Sequence, residues 1–170
     1  MKPVALLIFL FTASMGYSQK IPIDFEQTTF ARDFIDFAGG ISTIIDNPQS
    51  GGLNSSSTVA RMVRDGGESW AGSKLVLSDN LNFSSNGFIA MKVFTNAPVG
   101  TIVKVKLEGL GETYRDMLTT VTNEWETLIW DFTGQPANFN SIVFMFDFGT
   151  VGDGSVASTF LFDDIEQVSR

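Results

Sequence analysis

Three segments of this chain alternate residue types with a period of two, and that alternation restricts the fold more than any other feature. In 103–108, Val103, Val105 and Leu107 interleave with Lys104, Lys106 and Glu108. In 125–132, Leu128, Trp130 and Phe132 share one parity, and Trp125, Thr127, Ile129 and Asp131 the other. In 142–148, Ile142, Phe144, Phe146 and Phe148 oppose Val143, Met145 and Asp147. Successive side chains of a strand point to opposite faces, so the first-named apolar set of each segment belongs to a core. Turn residues recur every ten or so positions, among them Asn47-Pro48, Asp65-Gly66-Gly67, Asn96-Ala97-Pro98 and Gly152-Asp153-Gly154. The pattern predicts strands over 21–26, 40–46, 57–64, 73–78, 87–95, 101–109, 112–121, 124–132, 141–148 and 158–168. This is an all-β chain, expected to form a two-sheet antiparallel sandwich. Segment 29–37 is ambiguous: Phe30, Phe34 and Phe37 have helical spacing, but a bent strand or an ordered loop fits equally.

Residues 1–18 are read as a signal peptide to be removed. Met1-Lys2-Pro3 is a short basic start, Val4 to Ala13 is an apolar run, and Gly16 and Ser18 put small residues before a cut at Gln19. The run is too short to span a bilayer, and no later segment is long enough. Residues 19–170 then form a single domain that is secreted, to the periplasm or outside the cell. With no cysteine, there is no disulfide scaffold, thiol nucleophile or lipid-carrying Cys. With no histidine, imidazole acid–base chemistry and His-ligated zinc are excluded. Nineteen acidic residues face eleven basic ones, and Lys2 leaves with the leader, giving a mature charge near −9. Such a chain repels phosphate backbones and anionic membranes, so neither nucleic acid nor membrane insertion is expected.

The two ends of the mature chain carry acidic strands, Ile23-Asp24-Phe25-Glu26 and Phe162-Asp163-Asp164-Ile165. Where first and last strands meet, Glu26 and one of Asp163 or Asp164 could ligate calcium, with backbone carbonyls near Asp24 adding oxygens. Asp46 is a weaker candidate. The plain alternative is that these acids are solvated strand ends or backbone caps.

Asn47-Pro48, Gly52-Leu53-Asn54-Ser55-Ser56, Trp70-Ala71-Gly72, Val105-Lys106-Leu107-Glu108, Trp125-Glu126-Thr127-Leu128, Asp131-Phe132 and Phe162-Asp163-Asp164-Ile165 occur in this order. The set resembles the β-jelly-roll carbohydrate-binding modules of the galactose-binding-like type, which accompany secreted bacterial glycan-utilisation proteins. The resemblance covers nearly all of 21–168. It implies a jelly roll, a structural calcium held by Glu26 and Asp163, and binding of a polysaccharide or oligosaccharide without catalysis, alongside glycan-degrading enzymes.

Aromatic faces pack on the C–H faces of sugar rings, and polar groups read the hydroxyls. Trp70, in a Gly-rich loop where no strand pattern demands burial, and Tyr114, just after the Gly109–Gly111 turn, are the aromatic candidates. Lys106, Glu108, Arg115 and Asp147 are the hydrogen-bonding candidates, since charge-assisted bonds are the stronger kind. If the three alternating strands are neighbours, Lys104, Lys106, Glu108 and Asp147 share one face. A solvated, ion-paired sheet face is the alternative. Trp125 and Trp130 are expected to be structural. An adhesive protein is the competing function, with Val143, Met145, Ile129 and Trp125 as an apolar docking face. A glycosidase needs two converging carboxylates. The compact Glu-x-Asp-x-Glu arrangement is missing, leaving only Glu108, Asp131 and Asp147; a lyase would have to use Tyr114 with Arg115 or Lys106.

Overall fold

A computed structural model describes residues 21–26 and 34–169. The leader in 1–18 and Phe30 lie outside the described residues. The described chain forms β1 (Phe34–Phe37), β2 (Gly40–Asp46), β3 (Thr58–Gly66), β4 (Gly72–Val76), β5 (Phe88–Thr95), β6 (Ile102–Gly109), β7 (Glu112–Leu118), β8 (Trp125–Asp131), β9 (Phe139–Phe146), β10 (Gly152–Asp153) and β11 (Thr159–Val168). One sheet has five strands in the order β1-β4-β9-β6-β7. The other has six: β10-β3-β11-β5-β8, with β2 also on β3. Every pairing is antiparallel. The result is the two-sheet sandwich that the alternation predicts.

The core lies between the sheets and is built from the inward parity of each strand. Val103, Val105, Leu107, Leu128, Trp130, Ile142, Phe144 and Phe146 are all buried in one cluster with Phe160 and Phe162. Phe146 stacks on Phe160 at 4.9 Å, and Phe144 meets Phe162 at 5.1 Å. Aromatic pairs at such separations add roughly 0.5–1.5 kcal/mol each beyond the area they bury. The Trp130 indole N–H donates to the Val103 carbonyl at 3.2 Å, which ties β8 to β6 across the sandwich.

Three expectations need correction, and one open reading is decided. Segment 21–26 makes one bridge, Ile23 to Ile165, rather than a strand, because Phe25 adopts a left-handed φ of 54°. Residues 34–37 form a strand, one of the readings left open for segment 29–37. Phe148 is half-buried outside the core: Asp147, at φ 46°, breaks the period-two phase just before it. The three alternating strands are not all neighbours, since β6 and β9 pair but β8 belongs to the other sheet. The outward residues of β8 therefore lie on the opposite side of the molecule from Lys104, Lys106 and Glu108.

Candidate functional site

The outer face of the five-stranded sheet is organised in rows across the strands. Register sets Ile35, Lys74, Val143, Lys106 and Tyr114 opposite one another, one residue from each strand. To one side lie Phe37, Gly72, Met145, Lys104 and Asp116, and to the other Val76, Ser141, Glu108 and Glu112. Val143 and Met145 form a buried apolar floor. Around them Ile35, Phe37, Trp70, Lys74, Lys106 and Glu108 enclose a trough of about 360 Å³.

Trp70 is delivered by the 66–71 loop, stacked on Phe37 (5.9 Å, 23° between planes) and 49% exposed. Small residues let that platform form. A Cβ on Gly72 would stand 2.8 Å from the Phe37 ring, and one on Gly67 would stand 2.0 Å from the Ala38 carbonyl oxygen. Glu68 N donates to the Ala38 carbonyl (2.8 Å) and Gly149 N to that of Ser69 (2.9 Å), so the loop is fastened on two sides. Across the trough Tyr114 is 56% exposed. Lys104 Nζ lies 4.2 Å from its ring centre and 4.3 Å from that of Phe148, and pairs with Asp116 at 2.6 Å. A cation held over two rings orients both.

The charged groups of the trough are spent on one another. Lys106 pairs with Glu112 (2.5 Å) and Glu108 (3.0 Å), and Lys74 with Glu108 (3.3 Å). The bond to Glu112 holds Lys106 above its ordinary pKa. Partial burial pushes Glu108 upward, but Lys106 and Lys74 outweigh it and hold the carboxyl below its usual range. Three lysines and three carboxylates thus leave the trough close to neutral in an acidic protein.

Trp70, Tyr114, Lys106 and Glu108 are brought to this one face; Arg115 and Asp147 are not. Arg115 has the opposite parity on β7: its Nε donates to the Asp131 carbonyl (2.9 Å) and its guanidinium lies over Phe132, closing the edge between the sheets. Asp147 turns to the buried Arg64, 3.5 Å from Nη1. Asp131 sits on the six-stranded sheet, so the three carboxylates considered for catalysis do not converge. The apolar docking face is split as well, with Val143 and Met145 in one sheet and Ile129 and Trp125 in the other. Phe37, Phe148 and Lys74 were missed. The Ile35/Phe37 parity was the available signal for Phe37, masked by the helical spacing of Phe30, Phe34 and Phe37.

Part of the outer face of the six-stranded sheet is covered, while Ile41 and Ile129 stay exposed. The segment between β2 and β3 crosses it, and the Trp125 indole N–H donates to the Gln49 carbonyl (2.9 Å). Val59, Phe94 and Leu161 form a small second cluster there, with Ile45 and Trp125 against it. At its edge Asp163 is 0% exposed. Its Oδ2 accepts from Asn54 Nδ2 (3.0 Å) and its Oδ1 has no well-formed hydrogen bond; burial, only partly offset by Ser56, Asn54 and the Asp164 backbone, pushes its pKa up to about 6. Glu26 reaches the same segment, accepting from Ser57 N (2.8 Å) and Thr58 N (3.1 Å). The Asp24 carboxylate accepts from Glu26 N in a local turn, and Asp164 pairs with Lys92 at 2.6 Å. Among the described residues no three acidic, His or Cys side chains gather as a metal cluster.

No family model matches the chain, and no curated protein is similar to it in sequence. Solved structures are similar to it in fold. The family 11 carbohydrate-binding module of a cellulosomal cellulase from Clostridium thermocellum aligns with TM-score 0.60 at 14% identity, covering 91% of this chain and 96% of that one. A family 61 module in complex with β-1,4-galactotriose aligns with TM-score 0.52 at 14% identity, covering 89% and 97%. An exo-β-agarase aligns with TM-score 0.63 at 10% identity, over 88% of this chain and 24% of the enzyme. The chain has the β-sandwich fold of carbohydrate-binding modules.

Proposed function

We propose that this protein is an exported, non-catalytic carbohydrate-binding module that holds a neutral or weakly charged polysaccharide on the outer face of its five-stranded sheet, in company with glycan-degrading enzymes. The observation that carries this reading is the trough itself: an apolar floor, a half-exposed Trp70 stacked on Phe37 at one side, and Tyr114 oriented by Lys104 at the other. Sugar rings can lie on these aromatic faces while Lys74, Lys106 and Glu108 exchange hydrogen bonds with hydroxyls. An anionic polymer would have to displace carboxylates already paired with each lysine.

Two physical points support binding over cleavage. A glycosidase acid is a carboxyl with a raised pKa; Glu108 is instead held low by its lysines. Among the described residues the carboxyl that is raised, Asp163, lies sealed on the other sheet.

We also propose a structural calcium under the covering segment. The buried Oδ1 of Asp163, without a well-formed hydrogen bond, fits a hard cation, which takes oxygen ligands. Asp163 and Glu26 would hold it, together with backbone carbonyl oxygens of the segment they both grip. It would stabilise by binding the folded state alone.

Affinity gel electrophoresis against β-glucans, xylans, mannans, galactans and alginate, with and without calcium, tests the function. Retardation by one polymer, lost in Trp70→Ala with folding intact, is the expected result. Passage of the folded protein through every gel without retardation overturns it.

A further inference from the structure

The two loops that flank the trough are held by one side chain that breaks the inward pattern of its strand. Ala60 and Met62 of β3 enter the core, and Arg64, next in the same parity, is 0% exposed. Its Nη1 donates to the Asp147 carbonyl (3.0 Å) and its Nη2 to the Thr150 carbonyl (2.5 Å). Nη2 also lies 3.4 Å from the carbonyl oxygens of both Glu68 and Ser69. Nε has no partner, so the charged head is fixed by the loops and not by its own strand.

Burying a cation is costly, and an apolar residue of similar volume is often the more stable choice. Fold stability alone is therefore a poor reason for an arginine at this position. Its partners give a better one. Glu68 and Ser69 immediately precede Trp70, and Asp147 immediately precedes Phe148. A direct bond, Gly149 N to the Ser69 carbonyl at 2.9 Å, joins the two loops beside the guanidinium. Phe148 in turn meets Lys104, which meets Tyr114. Aromatic residues on both sides of the trough are thus referenced to one planar fork whose donor geometry is rigid.

We infer that Arg64 is a positioning residue for the trough: it touches no ligand, but holds the Trp70 loop and the Phe148 turn as one preformed wall. The affinity part of this inference rests on the glycan reading; the ordering part does not. A binding surface whose side chains are already fixed does not lose their freedom when the ligand arrives.

The test compares Arg64→Met, which keeps the unbranched stem and removes every donor, with Arg64→Lys, which keeps the charge but not the fork. Nuclear relaxation of the Trp70 indole N–H is measured in each, without ligand. The expected result is a Trp70 order parameter falling from rigid values to below ~0.6 in Arg64→Met, less in Arg64→Lys, with amide shifts of β4, β6 and β9 unchanged. Affinity for the retarding polymer should fall about tenfold in Arg64→Met. A Trp70 indole as ordered as in the native protein overturns the inference, and so does unchanged affinity. If Arg64→Met does not fold, Arg64→Lys and Asp147→Asn carry the same measurement. If the native protein binds no polymer, the glycan reading fails, and relaxation decides the role of Arg64 by itself.

Discussion

The two outer faces of this sandwich start from the same alternating pattern and end differently. On the five-stranded sheet the outward residues stay open: Val143 and Met145 make a floor, lysines and carboxylates neutralise one another, and Trp70 is left half exposed. On the six-stranded sheet the outward residues Phe94, Leu161 and Val59 are sealed by the segment that leads into β3, and the aromatic there, Trp125, hydrogen-bonds that segment. A tryptophan on an outer face is therefore not enough to mark a site. What separates the two is whether a loop has already taken the place a ligand would occupy.

The sharpest way to break this comparison is to exchange the tryptophans' fates. Trp70→Ala should weaken polymer binding about thirtyfold, near 2 kcal/mol, the scale of a hot-spot truncation, and leave the urea midpoint almost unmoved. Trp125→Ala should do the reverse, costing about 2 kcal/mol of stability by urea unfolding with unchanged gel retardation. A loss of binding in Trp125→Ala would place the site on the wrong sheet.

Asp163 gives the next effect. Its folded pKa is raised to about 6 from an ordinary 3.8 by burial, so in chelator the folded state binds its proton more tightly than the unfolded chain. The contribution of Asp163 to stability should be fully present below pH ~4 and be lost as pH rises through about 6, by up to about 3 kcal/mol. Asp163→Asn should flatten that decline. Calcium should raise the melting temperature at pH 7 in the native protein and not in Asp163→Asn, as scanning calorimetry would show. The smallest effect belongs to the trough charges: Glu112→Gln breaks one exposed ion pair of Lys106 and should change stability by less than about 1 kcal/mol. It should nevertheless improve retardation by alginate, because Lys106 loses one competing carboxylate.

Much of this architecture was legible because alternation is a local property that survives packing. Val103, Val105 and Leu107 face inward as their parity requires, and so do Leu128 and Trp130. Which strands become neighbours is not local, so parity alone cannot separate Ile129 of β8 from Val143 of β9, which lie in different sheets. Parity also fails where the backbone leaves the extended region. Asp147 at φ 46° reversed Phe148, and with it the fate of its own carboxylate. Trp70, Tyr114, Lys106 and Glu108 share one face because a loop and two paired strands meet there. Arg115 is separated from them by one residue of parity, visible in the alternation of β7 only once Tyr114 is known to face outward.

The row from Ile35 to Tyr114 has a further consequence. It takes one residue from each of five strands, so its graduations are set by inter-strand hydrogen bonding at roughly 4.7–4.9 Å per step. The main chain acts as a ruler laid across the surface, and substitutions change what is written at each mark without moving the marks. A linear polymer whose repeat keeps step with that ruler meets a side chain at every strand. One that falls out of step loses contacts progressively along its length, whatever its hydroxyl pattern.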